Sequence, residues 1–450
     1  MQFHIPKKIR MVLECLRRAG FRAVPVGGCV RDLLLGITPH DWDIATSATP
    51  AEMLTVFSDF KTLEIGQSAA KHGTITVVID HTPVEVTTFR QDGAYSDSRR
   101  PDSVQFSRSI ETDLARRDFT INAMCLDENG SIIDLFGGQE DLKKRIIRAI
   151  GLPDRRFSED ALRILRALRF AAVLGFFIEP QTGASMFRLA GQLEALSAER
   201  IRAEFEKLIC APDCVRVLVD YRKIIFEILP ELQPVSELAQ QEDYNCDDNI
   251  YEHAVRAVGA APSDVVLRMA LLLHDIGKPL CSVGSGSTYG HVAQSTMLAD
   301  NILRRLKYGN AIRAQILFLI QRQDLLLYET DKIKIKKLLS KYGVEAMQRL
   351  ALAQKADMMA QRPYMAKEGL TRLEEVECLM QSIVSQQTPL SRFELAVSGR
   401  DIIAAGVMPG PQLGTLLDLL LQKVLEETLP NDADALLEYV RQNMTDEAQH

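Results

Sequence analysis

The stretch "VGGCVRDLLLGITPHDWDIAT", Val26 to Thr46, gathers two glycines, an arginine and two closely spaced aspartates. Asp41 and Asp43 are two positions apart, and on a β-strand that spacing aims both carboxylates at one face. Carboxylates sharing a face repel unless a cation stands between them, and Mg2+ suits oxygen donors that it can bridge to substrate phosphates. Gly27 and Gly28 let backbone approach a phosphate with no Cβ in the way, while Arg31 offers a planar fork of donors to phosphate oxygens. Further along, "VEVTTF" supplies a third carboxylate, Glu85, on another strand candidate. The stretch reads as a metal and triphosphate site, although spacing alone fits equally well a Gly-Gly turn followed by a strand with two solvated aspartates. No GxxxxGK[ST] pattern occurs, which excludes a P-loop enzyme.

Outward from this stretch, "AVPVGG", "DWDIAT", "GTITVVID", "PVEVTTF" and "SIIDLFGG" predict strands within the first 140 residues, behind an opening helix. From Gln139 onward apolar residues recur every three or four positions, as in "EDALRILRALRFAAVLG", and no strand is expected beyond about residue 150. The segments "LPELQPVSELAQQEDYNCDDN", "CSVGSGSTYGH" and "LAVSGRDIIAAGVMPGPQLG" read as loops or junctions. The expected fold class is α+β, a mixed α/β head followed by a long α-helical body.

The chain's 450 residues exceed one core, and 46% hydrophobic with 25% charged residues marks ordinary globular protein. A net charge of −7 argues against a uniformly basic nucleic-acid coat but leaves room for a basic groove. Eight cysteines without a CxxC pair suit a reducing cytosol. No run approaches the roughly eighteen apolar residues of a membrane span, so a soluble, cytoplasmic protein is expected. The window Asp141–Phe170 holds nine Lys or Arg against four Asp or Glu, and an RNA end is expected there.

The opening stretch resembles the signature of the class II nucleotidyltransferases, the family of bacterial tRNA CCA-adding enzymes and poly(A) polymerases. Four further motifs follow in order: "LARRDFTINAM" (Leu114–Met124), "DLFGG" (Asp134–Gly138), "RRFSEDALRILRALRFAAVLGFFIEP" (Arg155–Pro180) and "SAERIRAEFEKLI" (Ser197–Ile209). The resemblance implies a polymerase-beta-like head at 1–140, a helical neck at 141–212, an HD-like body at 213–345 and a tRNA-binding tail at 346–450. It further implies Mg2+ held by Asp41 and Asp43, with Glu85 the weaker third carboxylate. Gly28, Arg31 and Arg117 would contact the incoming nucleotide, with Asp118 in support. Asp160 and Arg163, three apart on one helix face, would offer an acceptor and a donor to a base edge, and Arg166 and Arg169 continue that face.

The loop "RQDGAYSDSRRPDSVQF", Arg90–Phe106, is expected to be mobile and resembles one that complete CCA-adding enzymes carry. The implied activity is addition of CCA to the tRNA 3′ end from CTP and ATP with release of pyrophosphate. No DNA, membrane or obligate protein partner is expected. A poly(A) polymerase or an A-only enzyme of the same fold is the alternative.

Three of the eight histidines, His253, His274 and His291, fall within about forty residues, and "HDIGKP" begins at His274. Imidazoles beside a carboxylate suit a divalent transition metal. The order resembles the HD phosphohydrolases, which implies His253, His274, Asp275 and Asp324 as ligands. Relatives often carry His-Asp at the last position, where this chain has Gln323-Asp324. That departure weakens a second metal more than the first. Lys278 could steady a phosphate. An HD hydrolase as the main activity, with the head reduced to RNA binding, is a less favoured reading.

Overall fold

The computed structural model describes residues 3–63, 73–93, 104–237, 249–281, 290–327, 329–361 and 363–447. The chain divides into two units, Met1–Pro230 and Glu231–His450. In the first, strands β1 (Ala23–Pro25), β2 (Asp43–Thr46), β3 (Lys61–Leu63), β4 (Thr74–Ile79) and β5 (Thr82–Thr88) form one sheet in the order β1-β2-β5-β4-β3. β2 and β5 run parallel, with Asp43 opposite Glu85 and Ile44 opposite Val86, and the other pairings are antiparallel. Alternation then sorts the side chains. Ile44, Val84 and Val86 pack on one face with Ile9, Val12, Leu13 and Leu16 of helix α1 (Lys7–Arg18), an amphipathic stripe at steps of three and four. Ala45 packs on the other face with Val24, Val26, Phe89 and Leu114. Asp43 and Glu85 stand on this second face, where the core gives way to solvent.

Helix α2 (Gly28–Leu34) follows β1, and α3 (Ile110–Ala115) precedes the arginine pair Arg116-Arg117. The neck segment supplies α4 (Pro153–Glu159), α5 (Leu162–Leu174) and α6 (Ala198–Ile209). Contrary to the expectation of no strand beyond residue 150, Phe177–Ile178 pairs in parallel with Ile146–Ile147, a two-residue bridge too short to announce itself by alternation. The ends of the Arg90–Phe106 loop are also ordered by pairing, Arg90–Asp92 against Val104–Phe106; its tip, 94–103, lies outside the described residues.

All named elements of the second unit are helical. Those used below are α7 (Ile250–Ala260), α8 (Val265–Leu273), α9 (His291–Arg305), α10 (Asn310–Gln321) and α11 (Val344–Ala360). Two stretches expected as loops contain helix, Gln233–Glu237 and Gly399–Ala404. In the second a capping box between Ser398 and Asp401 starts the turn despite the surrounding glycines and prolines. Residues 238–248 and 282–289, the rest of two expected loops, lie outside the described residues.

Candidate active site

A cleft of about 640 Å3 in the first unit is lined by Asp41, Asp43, Gly28, Arg31, Arg117, Asp118, Asp160, Arg163, Arg166 and Arg169. Residues singled out from three separate motifs thus meet in one place. Asp43 opens β2, whereas Asp41 lies in the bend before the strand, so strand alternation does not set its direction. Crowding by protein raises the Asp43 carboxyl pKa, with Arg117 pulling it down and Asp41 pushing it up. Glu85 is raised in the same way, first by its surroundings and then by Asp43 and Asp41. Asp43 and Glu85 thus each feel neighbouring negative charge that a divalent cation would relieve, although Glu85 does not line the cleft and the ligand atoms of Asp41, Asp43 and Glu85 do not all lie within 4.8 Å of one another.

The cationic wall is held by a separate group of acids. Asp113 is fully buried; its Oδ1 accepts from Arg116 Nε and Nη2 at 2.9 and 2.7 Å, and its Oδ2 from Arg117 Nε and Nη2 at 3.3 and 3.1 Å. Arg117 is pressed over Gly27, where φ is +80° and a Cβ would stand 2.7 Å from Arg117 Nη1. Of the two glycines it is therefore Gly27 whose missing side chain the structure uses; a Cβ on Gly28 would have only Arg31 Nη2 nearby, at 3.7 Å. Arg31 donates to Asp32 Oδ1 and, through Nη1, to Asn122 Oδ1 at 2.8 Å. Burial opposes ionisation of Asp118, yet Arg166 Nε at 2.7 Å, Asn122 Nδ2 and the Phe119 amide bring its carboxyl down to about 2.

Asp160 does not share a helix face with Arg163. It is an extended residue (φ −150°, ψ 103°) breaking α4 from α5, and its Oδ1 accepts the Leu162 amide at 3.1 Å. Arg163 donates to Glu159 Oε2 and to the carbonyls of Arg156 and Arg116. Much of the positive excess in Asp141–Phe170 is likewise paired, Arg148 with Asp141, Arg155 and Arg156 with Glu159, and Arg169 with Glu204.

Sequence reasoning missed Asn122, Phe170 and Arg200, which also line the cleft. The Phe170 ring lies 5.3, 5.4 and 4.2 Å from the guanidiniums of Arg31, Arg166 and Arg169, so one aromatic face organises three cations. Its place after Arg169 in the helical repeat was the only available signal.

In the second unit, ligand atoms of His253, His274 and Asp357 lie within 4.8 Å of one another. His253 Nε2 is 2.8 Å from Asp357 Oδ1, and His274 Nε2 is 3.2 Å from both Asp357 Oδ1 and Asp275 Oδ2. His274 Nδ1 is 2.7 Å from the Leu271 carbonyl, which leaves Nε2 for the cluster. Burial opposes charge on His274, but Asp275 and Asp357 raise its pKa well above the usual value, and the carboxylates fall in return. Asp357, from α11, stands beside the two imidazoles where the sequence pointed to Asp324; Asp324 lies outside that group of three and is exposed, its carboxyl raised by crowding and by Asp357. Lys278 pairs with Asp275 at 2.5 Å, and the Gln323 amide contacts His291 Nε2 at 2.9 Å. Gly277 admits α9, since a Cβ there would collide with the Ser295 backbone nitrogen.

Three family models match the chain, the poly A polymerase head domain over residues 23–148, a probable RNA- and SrmB-binding site of polymerase A over 175–235, and a putative tRNA nucleotidyltransferase domain 2 over 291–440. The CCA-adding enzyme of Limosilactobacillus fermentum is 36% identical over 95% of this chain and 94% of its own. That of Bacillus cytotoxicus is 35% identical over 97% and 98%. The crystal structure of the Bacillus stearothermophilus CCA-adding enzyme in complex with CTP superposes with a TM-score of 0.69 at 30% identity, covering 99% of both chains. The Thermotoga maritima CCA-adding enzyme complexed with tRNA shares the fold, with a TM-score of 0.56 at 19% identity over 99% and 100% of the two chains. With a nucleotidyltransferase head, this cleft and full-length relatives of this identity, the chain belongs to the family of CCA-adding enzymes.

Proposed function

We propose that this chain adds CCA to the 3′ end of tRNA, using CTP and ATP and releasing pyrophosphate. The observation that carries the reading is the grouping of Asp41 and Asp43 with Arg31, Arg117 and Arg166 and the Asp160–Arg163 pair in one cleft. Asp41, Asp43 and Glu85 would hold Mg2+, which when bound supplies charge stabilisation and a more acidic RNA 3′-hydroxyl. The remaining work is positioning. Arg117, fixed by Asp113, and Arg31, fixed by Asp32 and Asn122, meet triphosphate oxygens in a preset geometry. Asp160 and Arg163 face the base, and Arg166 and Arg169 extend the cationic wall.

Of the four-part division, head and neck at 1–140 and 141–212 go with this reading, while the body and tail, 213–345 and 346–450, share the cluster of His253, His274 and Asp357 within the unit that begins at Glu231. The donor set of His253, His274 and Asp357, with Asp275 beside it, suits one divalent transition metal. Among the described residues no helix is long and apolar enough to cross a membrane.

Primer extension tests the activity, with CTP and ATP supplied separately and together to a tRNA transcript lacking CCA, one ending in CC, and an unstructured RNA. Three residues added to the first only with both nucleotides, followed by arrest, is the expected result. Long tails from ATP alone on any RNA would make the chain a poly(A) polymerase, and a single A added to the CC-ended transcript alone would make it an A-only enzyme.

A further inference from the structure

We propose that Arg200 is a positioning residue that sets which bases the cleft accepts, by holding the Asp160 carboxylate in one orientation. The inference rests on the reading of Asp160 as the acceptor that meets the base. Asp160 lies between two helices, so no helical packing fixes its side chain. Two contacts fix it instead. Oδ1 accepts the Leu162 amide at 3.1 Å, and Oδ2 accepts Arg200 Nη2 at 2.7 Å from α6, forty residues along the chain. Both side chains line the cleft. Arg200 Nη1 is buried without a hydrogen-bond partner among the described residues, so the ion pair with Asp160 is what anchors the guanidinium.

A carboxylate in its charged form only accepts hydrogen bonds. Cytosine and adenine each present an exocyclic amino group, a donor, where uracil and guanine present an oxygen. A fixed Asp160 therefore pairs with C or A and sets acceptor against acceptor with U or G. Removing the guanidinium frees the carboxylate to turn about its own bonds, which relieves that clash. Selectivity then falls while the phosphate-binding arginines and the metal-binding carboxylates stay in place.

The test uses the full chain and measures kcat/KM for CTP, UTP, ATP and GTP, singly, on a tRNA transcript lacking CCA and on one ending in CC. For Arg200→Ala the CTP:UTP and ATP:GTP ratios are expected to fall about tenfold or more, a loss of the size expected when an ionic hydrogen bond is removed. Arg200→Lys, which keeps the charge, is expected to retain most of the selectivity. Equal slowing with all four nucleotides, or a Lys variant as permissive as the Ala variant, overturns the proposal, because a merely structural ion pair lowers all rates together. Where Arg200→Ala melts early, Arg200→Gln keeps a donor without the charge and is read by the same ratios. A wild-type chain that adds nothing to either transcript sinks the CCA-adding reading itself. A selective wild type beside an equally selective Arg200→Ala removes only the role of Arg200.

Discussion

The cleft of the first unit and the histidine cluster of the second both gather carboxylates, and they hold them in opposite electrostatic states. At the cleft, Asp43 and, on the neighbouring strand, Glu85 are raised by crowding and by neighbouring carboxylates. In the cluster, Asp275 and Asp357 are lowered by His274 and by Lys278 or His253. The first arrangement asks for a cation from outside. The second has Lys278 and His274 beside its carboxylates, and a metal bound there would compete with the proton that Asp275 and Asp357 favour on His274. The difference separates a site whose carboxylates are incompletely balanced by the cations near them from one whose carboxylates already have cationic partners within the protein.

The largest expected effect breaks the cleft side of the comparison. Asp43→Asn removes one oxygen donor of the carboxylate set, and single-turnover CMP incorporation is expected to slow by about a thousandfold or more. Relief of carboxylate repulsion means its thermal midpoint should not fall. A variant that still extends tRNA at more than about a tenth of the wild-type rate would show that the three carboxylates do not form the metal site.

Asp113 tests the cationic wall. Removing one partner of a buried charged group costs about 3–5 kcal/mol, and Asp113→Ala removes the carboxylate that Arg116 and Arg117 share. The chain's single tryptophan, Trp42, packs against the core of the first unit, so its fluorescence during urea unfolding reports this unit. We expect an earlier midpoint there, together with a KM increase of about ten- to a hundredfold for CTP and ATP alike. A higher KM for only one nucleotide would mean that Arg117 reads the base rather than the phosphates.

Acid sensitivity gives a smaller effect with a defined sign. The folded-state pKa of Asp118 is depressed to about 2, so its contribution is present above the ordinary aspartate value and is lost as pH falls from about 4 towards 2. It amounts to about 2 kcal/mol. Asp118→Asn should be less stable at neutral pH and show a shallower loss of Trp42-reported stability across that window. An unchanged slope would mean that Arg166 leaves the Asp118 carboxyl unperturbed.

How much of each site is legible in the sequence follows from the same contrast. The cleft is made of short-range patterns: Asp41 and Asp43 on either side of Trp42, the Arg116-Arg117-Asp118 run, and arginines at steps of three in α5. Local geometry places such groups, and their types identify the chemistry. Four of the sheet's five strands were legible for the same reason, with the alternation in β5 reporting its two faces, whereas the edge strand β3 (Lys61–Leu63) was not expected. What stayed hidden depends on tertiary partners. Asp113 reads as an ordinary helical acid, Arg200 belongs to an amphipathic helix, and Asp160 breaks the helix that its spacing suggested. In the cluster, His253, His274 and Asp275 were legible beside an apolar helix, but Asp357 lies 104 residues from His253 in α11, where nothing around it marks a ligand. Asp324 had the better sequence context and the poorer geometry.

That pair of aspartates gives the test with the smallest expected effect on nucleotide addition and the sharpest bearing on the cluster. Asp357→Asn should weaken Mn2+ or Co2+ binding to the second unit by about ten- to a hundredfold or more, measured by calorimetry on the full chain with the head's own Mg2+ site saturated. Asp324→Asn should leave that affinity nearly unchanged, because its carboxylate lies outside the group formed by His253, His274 and Asp357. Both variants should add nucleotides to tRNA within about twofold of wild type. Loss of metal binding in Asp324→Asn but not in Asp357→Asn would restore the ligand set implied by the sequence and require the turn after α10 to rearrange when metal binds. A large fall in tRNA extension for either variant would end the electrostatic separation drawn between the two regions, because the cluster would then serve the same reaction as the cleft.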